Sequence, residues 1–345
     1  MRAVLYAAMV GLFTTLGGTP FAIRYFRRHD FGQLLREDWG AEGEYHETKR
    51  GTPTSGGVVI IAGILAGYAA AHVIVPFRVT GIAVVGTMIA MGCVGFADDY
   101  VKVRHQRSLG LNKTAKVLSQ AAVAVGLALV IVNWSGQSEF ITHLSFVRRT
   151  RLDFGVILFV VWVFLILAAT TNGVNLTDGL DGLAAGSSAL VFTAYVFIAF
   201  WQFRHVEYEV KDPLELAIVA AAGLGACAGF LWWNAAPARI FMGDTGSLAL
   251  GGGIAALALY TSTHLLLVVL GGLFVLETTS VIVQVAAFRG FGRRVFKMAP
   301  LHHHFELNGW PEFTVIVRFW IIAGLSAALG IGLFYADFLA RGGVK

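Results

Sequence analysis

Residues 154–172 read FGVILFVVWVFLILAATTN, a run of nineteen positions without a charged side chain. An α-helix needs about 20 apolar residues to cross a bilayer, and this run has that length. The whole chain has the same character, because 57% of its 345 residues are hydrophobic, 14% are charged and the mean hydropathy is +0.70. This composition excludes a water-soluble globule. It predicts an all-α integral membrane protein with a single polytopic domain over residues 1–345.

Scanning the chain with a window of about 20 residues predicts ten transmembrane helices. They lie near 3–25, 56–76, 79–97, 114–133, 154–172, 184–202, 214–233, 247–262, 264–288 and 314–337. The loops from odd to even spans hold sixteen of the 26 Lys and Arg residues, and the opposite face holds nine. The positive-inside rule then predicts periplasmic termini and those five loops in the cytoplasm. The basic residues of 148–151 depart from this rule.

The net charge of +5 is not arranged as a basic stripe interleaved with aromatic residues. We therefore expect it to orient loops and to contact membrane lipids, and we expect no nucleic-acid partner. The two cysteines, Cys93 and Cys227, lie in apolar runs, where a small hydrophobic side chain is the simplest interpretation.

Polar residues collect at the predicted cytoplasmic ends of the spans. Residues 49–57, KRGTPTSGG, precede the second span. Their hydroxyls and backbone amides could bind an anion at the helix start, or they could form an ordinary N-cap with a proline turn.

The third span ends in FADDYVK, residues 96–102. Adjacent acids at a membrane edge are costly without a cation or a proton. On a helix the side chains of Asp98 and Asp99 point about 100° apart, so we expect them to have different roles. Lys102 lies one helical turn beyond Asp98. Lys113, Lys116 and Gln120 follow on one helix face, which is more typical of a lipid-headgroup contact.

Two further segments carry acids beside glycines. Residues 171–182, TNGVNLTDGLDG, offer amide and carboxylate oxygens without a basic residue, and they lack the spacing of a calcium loop. Residues 241–247, FMGDTGS, place Asp244 just before a helix, with Phe241 available to stack on a planar ring.

Three consecutive histidines, residues 302–304, lie in the last predicted cytoplasmic loop. Adjacent histidines cannot easily bind one ion and no cysteine accompanies them, so a zinc site is disfavoured. Hydrogen bonds to a phosphate or a base are the preferred interpretation.

Carboxylates combined with lysines suit a diphosphate bound to Mg²⁺, which takes oxygen ligands. A location at the membrane edge implies one lipid substrate and one substrate from the cytoplasm. Phosphoryl transfer between them is the simplest hypothesis.

These motifs, in this order along essentially the whole chain, closely resemble those of the phospho-N-acetylmuramoyl-pentapeptide transferases. This family belongs to the polyprenyl-phosphate N-acetylhexosamine-1-phosphate transferase superfamily. Residues 298–310, MAPLHHHFELNGW, distinguish it from relatives that transfer N-acetylglucosamine phosphate. Ser55 departs from the usual Met, and Trp233 from a common Phe.

The resemblance implies a multi-pass, dimeric enzyme of the bacterial cytoplasmic membrane. It implies transfer of phospho-MurNAc-pentapeptide from UDP-MurNAc-pentapeptide to undecaprenyl phosphate, giving lipid I and UMP in peptidoglycan synthesis. Asp244, with Asp99 as a second candidate, becomes the Mg²⁺ ligand, and Asp98 acts on the lipid phosphate. The implied substrate-binding residues are Lys49, Thr54, Lys102, Lys116, Asn175, Asp178, Asp181, Asn234, Phe241, His302, His303 and His304.

Two other functions stay open at this point. The first is the same chemistry with UDP-N-acetylglucosamine as the donor. The second is an ion-coupled transporter, which predicts charges near the middle of the bilayer rather than at one rim.

Overall fold

A computed structural model describes residues 1–29, 51–105, 110–134 and 142–341. Most of its helices are long and apolar. The helices are α1 (Arg2–Arg28), α2 (Gly57–Ala71), α3 (Val79–Arg104), α4 (Lys113–Trp134), α5 (Gly155–Thr177), α6 (Leu183–Arg204), α7 (Pro213–Asn234), α8 (Gly243–Tyr260), α9 (Leu266–Leu270), α10 (Gly272–Phe291), α11 (Leu301–Glu306) and α12 (Glu312–Ala340).

The structure confirms a helical membrane protein, but it changes the number of spans. Among the described residues, eight helices are long and apolar enough to cross a membrane, not ten. Helix α2 has only 15 residues, and α8 begins with the polar sequence GDTGS. The predicted ninth span is broken at Gly271 into the short α9 and the longer α10.

Helix α8 lies at the centre of the bundle. Every residue from Thr245 to Tyr260 is buried, and α8 packs against α2, α3 and α5. Its glycines and alanines explain this position, because small side chains allow neighbouring backbones to approach closely. The first turn of α8 is therefore surrounded by the ends of other helices.

Two short strands depart from the all-α prediction. Strands β1 (His143–Ser145) and β2 (Arg149–Asp153) form an antiparallel hairpin before α5. Arg148, between the strands, donates to Asp337 Oδ2 at 2.7 Å, and its guanidinium lies 4.2 Å from the centre of the Tyr208 ring. This pairing explains how a basic residue that departs from the positive-inside rule is accommodated.

Candidate active site

Three carboxylates form the centre of the candidate site. Asp98 and Asp99 lie near the C-terminal end of α3, and Asp244 lies in the first turn of α8. One oxygen from each carboxylate lies within 4.8 Å of the others. The side chain of Asp98 is fully buried, whereas that of Asp244 keeps 13% of its exposure. The structure thus brings together three aspartates that the sequence singled out in separate motifs.

Glycines allow helices α2, α3 and α8 to meet closely. A Cβ atom on Gly95 of α3 would lie 2.1 Å from the Asp244 carbonyl oxygen. A Cβ atom on Gly57 of α2 would lie 2.0 Å from the Gly246 nitrogen. Contacts this short exclude any larger side chain without a shift of the backbone, so both glycines determine where the start of α8 lies.

Two lysines connect the carboxylates. Lys102 Nζ lies 2.7 Å from Asp98 Oδ2 and 3.1 Å from Asp244 Oδ2. Lys116 Nζ, from α4, lies 3.0 Å from Asp98 Oδ1 and 3.0 Å from Asp244 Oδ2. We call these five residues, Asp98, Asp99, Lys102, Lys116 and Asp244, the rim cluster. Its three carboxylates face two ammonium groups, which leaves a formal excess of negative charge.

Asp99 holds the first turn of α8 in place. Its Oδ1 accepts a hydrogen bond from the Asp244 amide at 3.1 Å. Its Oδ2 accepts from the Thr245 amide at 3.0 Å, from the Thr245 hydroxyl at 2.7 Å and from the Ser55 hydroxyl at 3.3 Å. A carboxylate at a helix N-terminus is favourable because the first amides there have no partner within the helix. Asp99 therefore positions Asp244.

Asp98 makes a different set of contacts. Besides the two lysines, its Oδ1 accepts from the Leu111 amide at 2.7 Å, which ties the segment before α4 to the end of α3. Asp98 and Asp99 thus differ in most of their partners, although Lys102 Nζ also lies 3.9 Å from Asp99 Oδ1. The Oδ2 atom of Asp98 lies at ion-pair distance from Lys102 but accepts no hydrogen bond from the described residues.

The C-terminal end of α5 completes one side of the rim cluster. Asn175 Nδ2 lies 2.9 Å from Asp244 Oδ1 and 2.9 Å from Ser247 Oγ. Asp178 follows in the turn after α5 and is partly buried. Its removal from water, with repulsion from Asp244 and Asp99, raises the pKa of the Asp178 carboxyl well above its ordinary value.

Two predicted site residues instead hold the loop between α7 and α8. Asp181 Oδ2 accepts from the Ala238 amide at 2.9 Å, and the Asp181 amide donates to Glu312 Oε1 at 3.2 Å. Asn234 is buried and donates to the Ile240 carbonyl at 2.9 Å. Their predicted contact with substrate stays a prediction, but their observed hydrogen bonds are with the protein.

Thr54 and Phe241 lie on two paired segments beside the rim cluster. The Phe241 amide donates to the Pro53 carbonyl at 2.8 Å, and the Gly56 amide donates back to the Phe241 carbonyl at 2.9 Å. Phe241 is half-buried. Lys49 lies outside the described residues, so its predicted role is untested.

The same pairing engages several backbone amides of the KRGTPTSGG segment. The amides of Gly56 and Gly57 donate to the carbonyls of residues 241 and 242, each at 2.9 Å. The amides of the next two residues donate to carbonyls within the turn. These four amides are therefore not free to bind an anion, and binding through the hydroxyls of this segment or through residues 49 and 50, which lie outside the described ranges, stays a prediction.

The prediction for the Lys113–Gln120 helix face was wrong in part. Lys116 lies in the rim cluster rather than at lipid headgroups. Gln120 is buried and donates to the Thr171 hydroxyl at 3.3 Å. Only Lys113 of this set is exposed, because the face on which the other two lie packs against α3 and α5.

The three histidines of α11 point toward different groups. Their Nδ1 contacts are Glu277 Oε1 for His302 at 3.1 Å, Glu306 Oε2 for His303 at 2.8 Å and the Lys297 amide for His304 at 3.1 Å. In the part of the chain that the structure describes, the only cluster with the spacing of metal ligands is Asp98–Asp99–Asp244. The three histidines contact different groups, and the expectation that they bind no zinc stays a prediction.

Glu277 and Gln284 of α10 join the helix to the loop that follows it. Glu277 is fully buried beside His302, and Gln284 Oε1 accepts from the amides of Val295 and Phe296, both at 3.0 Å. Both polar side chains therefore make contacts between segments of the chain.

Sequence reasoning missed several residues that build the site. Thr245 and the Leu111 amide bind the two acids of α3, and Ser55 does so from a left-handed backbone conformation with φ 64°. Of these three residues, only Ser55 stands out in the sequence, because it departs from the family pattern. Backbone donors leave no trace in a sequence.

The donor set fits a hard divalent cation. Carboxylate oxygens are the ligands that Mg²⁺ prefers, and the rim cluster offers three carboxylates close together with excess negative charge. The lysines beside them suit phosphate oxygens, which an ammonium group binds as a point charge.

Comparison with known proteins finds a matching family model and relatives that are similar along nearly the whole chain. The family model described as glycosyl transferase family 4 matches residues 81–262. The phospho-N-acetylmuramoyl-pentapeptide-transferase of Frankia casuarinae is 56% identical over 357 residues, covering 99% of this chain and 100% of the relative. Proteins of the same name from Rhodococcus jostii and Streptomyces coelicolor are 51% and 49% identical, covering 99% and 98% of this chain and 99% of each relative.

Proposed function

Because the chain belongs to the phospho-N-acetylmuramoyl-pentapeptide transferases, we propose that the rim cluster is the centre at which its phosphoryl transfer takes place. The protein transfers phospho-MurNAc-pentapeptide to a lipid carrier in peptidoglycan synthesis. The observation that carries the site assignment is the meeting of three carboxylates and two lysines at the ends of α3 and α8.

The acceptor in this proposal is undecaprenyl phosphate. An oxygen of the lipid phosphate attacks the phosphorus that carries the sugar, the bond between the two phosphates of the donor breaks, and UMP leaves. Lys102 and Lys116 bind phosphate oxygens of the donor and hold them in line for attack. The products are lipid I and UMP.

Asp244 is the proposed Mg²⁺ ligand, with Asp99 and Asp98 beside it. A bound Mg²⁺ would neutralise negative charge that develops on the leaving phosphate. Asp99 contributes by positioning Asp244 through the first amides of α8.

Asp98 positions groups in this scheme rather than removing a proton. A phosphate monoester has a second pKa of about 6, so the lipid phosphate is largely a dianion at neutral pH. Asp98 also lies within ion-pair distance of Lys102 and Lys116, and its Oδ1 accepts a hydrogen bond from the Leu111 amide. These contacts suit a residue that holds the two lysines in place.

The test is release of UMP by the purified protein in detergent with undecaprenyl phosphate and UDP-MurNAc-pentapeptide. We expect release that depends on Mg²⁺, and a fall of at least about 1,000-fold in Asp244→Asn, since the neutral amide is a poor ligand for this ion. Thermal unfolding of the variant checks that it is folded. Release without Mg²⁺, or equal release by the variant, would contradict the proposed metal site.

UDP-N-acetylglucosamine serves as the comparison donor in the same assay. We expect little release from it. Three further features of the proposal rest on the family resemblance and on the distribution of charge. They are the cytoplasmic (inner) membrane location with periplasmic termini, the active site at the cytoplasmic face, and a homodimer. Labelling of single cysteines from each side and mass measurement in lipid nanodiscs test them.

A further inference from the structure

A buried carboxylate outside the rim cluster has no role in the mechanism so far. Glu277 lies in α10, and its side chain is fully buried. Its Oε2 accepts from the Leu301 amide at 2.7 Å, and its Oε1 lies 3.1 Å from His302 Nδ1. Burying a carboxylate is costly unless donors compensate its charge, and these two contacts supply that compensation.

The second ring nitrogen of His302, Nε2, lacks the compensating contacts that Glu277 has. His302 is fully buried, and its Nε2 has no hydrogen-bond partner among the described residues. The imidazole lies against the turn after α5, because a Cβ atom built on Gly179 would lie 2.3 Å from Nε2. A buried polar atom without a partner is costly, and such atoms in native proteins call for an explanation such as a ligand.

The turn that Nε2 faces is tied to the rim cluster. It follows the end of α5, where Asn175 Nδ2 lies 2.9 Å from Asp244 Oδ1, and Asp181 Oδ2 anchors it by accepting from the Ala238 amide at 2.9 Å. A group bound beside Gly179 would therefore lie next to the candidate active site.

The contacts of His302 also determine what Nε2 can bind. Glu277 accepts a hydrogen bond from Nδ1–H, so this proton stays on Nδ1. Burial lowers the pKa of His302 below its ordinary value, with partial opposition from Glu277, so the ring is neutral near pH 7. In this tautomer Nε2 carries a lone pair and accepts hydrogen bonds.

We propose that Glu277 is a positioning residue that holds His302 in the tautomer whose Nε2 accepts a hydrogen bond from a hydroxyl or amide N–H of the sugar nucleotide. This inference rests on the proposed function and refines it. It assigns His302 to a hydrogen-bond donor of the substrate rather than to a phosphate oxygen, which would need an N–H from the ring.

Glu277→Gln tests this with little change of shape. The Leu301 amide requires an acceptor, so the new side chain turns its oxygen to Leu301 and its NH₂ group to His302 Nδ1. Nδ1 must then accept, and the ring proton moves to Nε2. The variant therefore keeps both contacts but changes Nε2 from an acceptor to a donor.

The measurement is the steady-state rate of UMP release at saturating undecaprenyl phosphate and varied UDP-MurNAc-pentapeptide. We expect the KM for the sugar nucleotide to rise about tenfold in Glu277→Gln, with a much smaller change in kcat, because one hydrogen bond of the bound substrate is lost. His302→Gln should raise the KM as well. The double variant should be no worse than His302→Gln, because Glu277 acts through His302.

Nitrogen-15 chemical shifts of the His302 ring report which ring nitrogen carries the proton, and His302→Gln identifies the signals. A purely structural role of Glu277 would not change this tautomer. We expect protonated Nδ1 in the parent protein and protonated Nε2 in Glu277→Gln. The matched control is Glu215→Gln, another buried glutamate, which lies at the other end of the bundle and should leave the KM unchanged.

Three results would overturn the inference: an unchanged KM in Glu277→Gln, the same tautomer in both proteins, or effects of the two single variants that multiply in the double variant. If Glu277→Gln does not fold, Glu277→Asp replaces it. Its shorter side chain should also raise the KM, and a KM equal to that of the parent protein would overturn the inference. Absence of UMP release by the parent protein would instead contradict the proposed function.

Discussion

The bundle buries carboxylates at both of its ends and compensates them differently. In the rim cluster, three carboxylates share two lysines, and the negative charge stays in excess. At the other end, Glu215 is a single buried acid that accepts from the Tyr68 hydroxyl at 2.9 Å and lies 3.6 Å from His72 Nε2. We call these three residues the far-end cluster.

The difference shows why burial alone does not identify an active site. A single acid with a tyrosine and a histidine is compensated by the protein itself, and such a group contributes to packing and stability. A group of acids that outnumbers its cations needs a further positive charge, which a bound cation or a proton supplies. The balance between acidic and basic side chains therefore distinguishes the two clusters better than the burial of the acids does.

The largest effect that would sharpen this comparison is expected at a glycine. Gly95→Ala should lower UMP release about 100-fold, because its Cβ would meet the Asp244 carbonyl and displace the rim cluster. Crowding of this kind should also lower the free energy of unfolding by about 1–3 kcal/mol. UMP release measures the first effect, and thermal unfolding of the same sample measures the second.

Gly86→Ala, in the same helix, is the matched control. A Cβ there meets no atom within 4 Å. Its activity and stability should match those of the parent protein. Equal losses in both variants would show that α3 tolerates no added methyl group, and the Gly95 contact would then have no special role.

A smaller effect is expected for Asp98→Asn. The substitution removes the charge that Lys102 and Lys116 share, so release of UMP should fall about 30-fold through the loss of two ion pairs that position the lysines. We expect the same factor from about pH 6 to about pH 9, because Asp98 has a positioning role. The pH–rate profiles of both proteins are the measurement. Loss of the acidic limb of the profile in the variant would assign the proton acceptor to Asp98.

The smallest effect belongs to the far-end cluster. Tyr68→Phe removes one hydrogen bond to Glu215, which should lower the free energy of unfolding by about 1 kcal/mol. Turnover should stay within about twofold of the parent value, since the contact lies away from the rim cluster. Thermal unfolding and UMP release are measured on the same sample. A loss of turnover comparable to that of Asp98→Asn would mean that the two clusters are coupled.

Sequence reasoning found the rim cluster through residue types and spacing. The four-residue step from Asp98 to Lys102 predicts their contact, and an ion pair of 2.7 Å is present. The grouping of motifs at one end of the spans likewise placed Asp244 near them. These features depend on local geometry, which the sequence encodes directly.

Other contacts were out of reach because they depend on tertiary packing. The inward direction of Lys116 follows from the position of α4, and the pairing of Glu277 with His302 joins residues 25 positions apart. The central position of α8 depends on close approach at Gly57 and Gly95, whose glycines alone do not say which backbone they face. The hairpin at residues 143–153 was missed because its strands have only three and five residues.

The pairing of Arg148 with Asp337 has a consequence for biogenesis. The two residues are 189 positions apart, so Arg148 leaves the ribosome long before Asp337 is synthesised. During insertion Arg148 is therefore an unpaired cation, and the ion pair cannot help to orient the early helices. That orientation has to come from the basic residues between the first and second and between the third and fourth helices, which are translated before it. The ion pair between the hairpin and α12 therefore forms only after α12 has packed into the bundle.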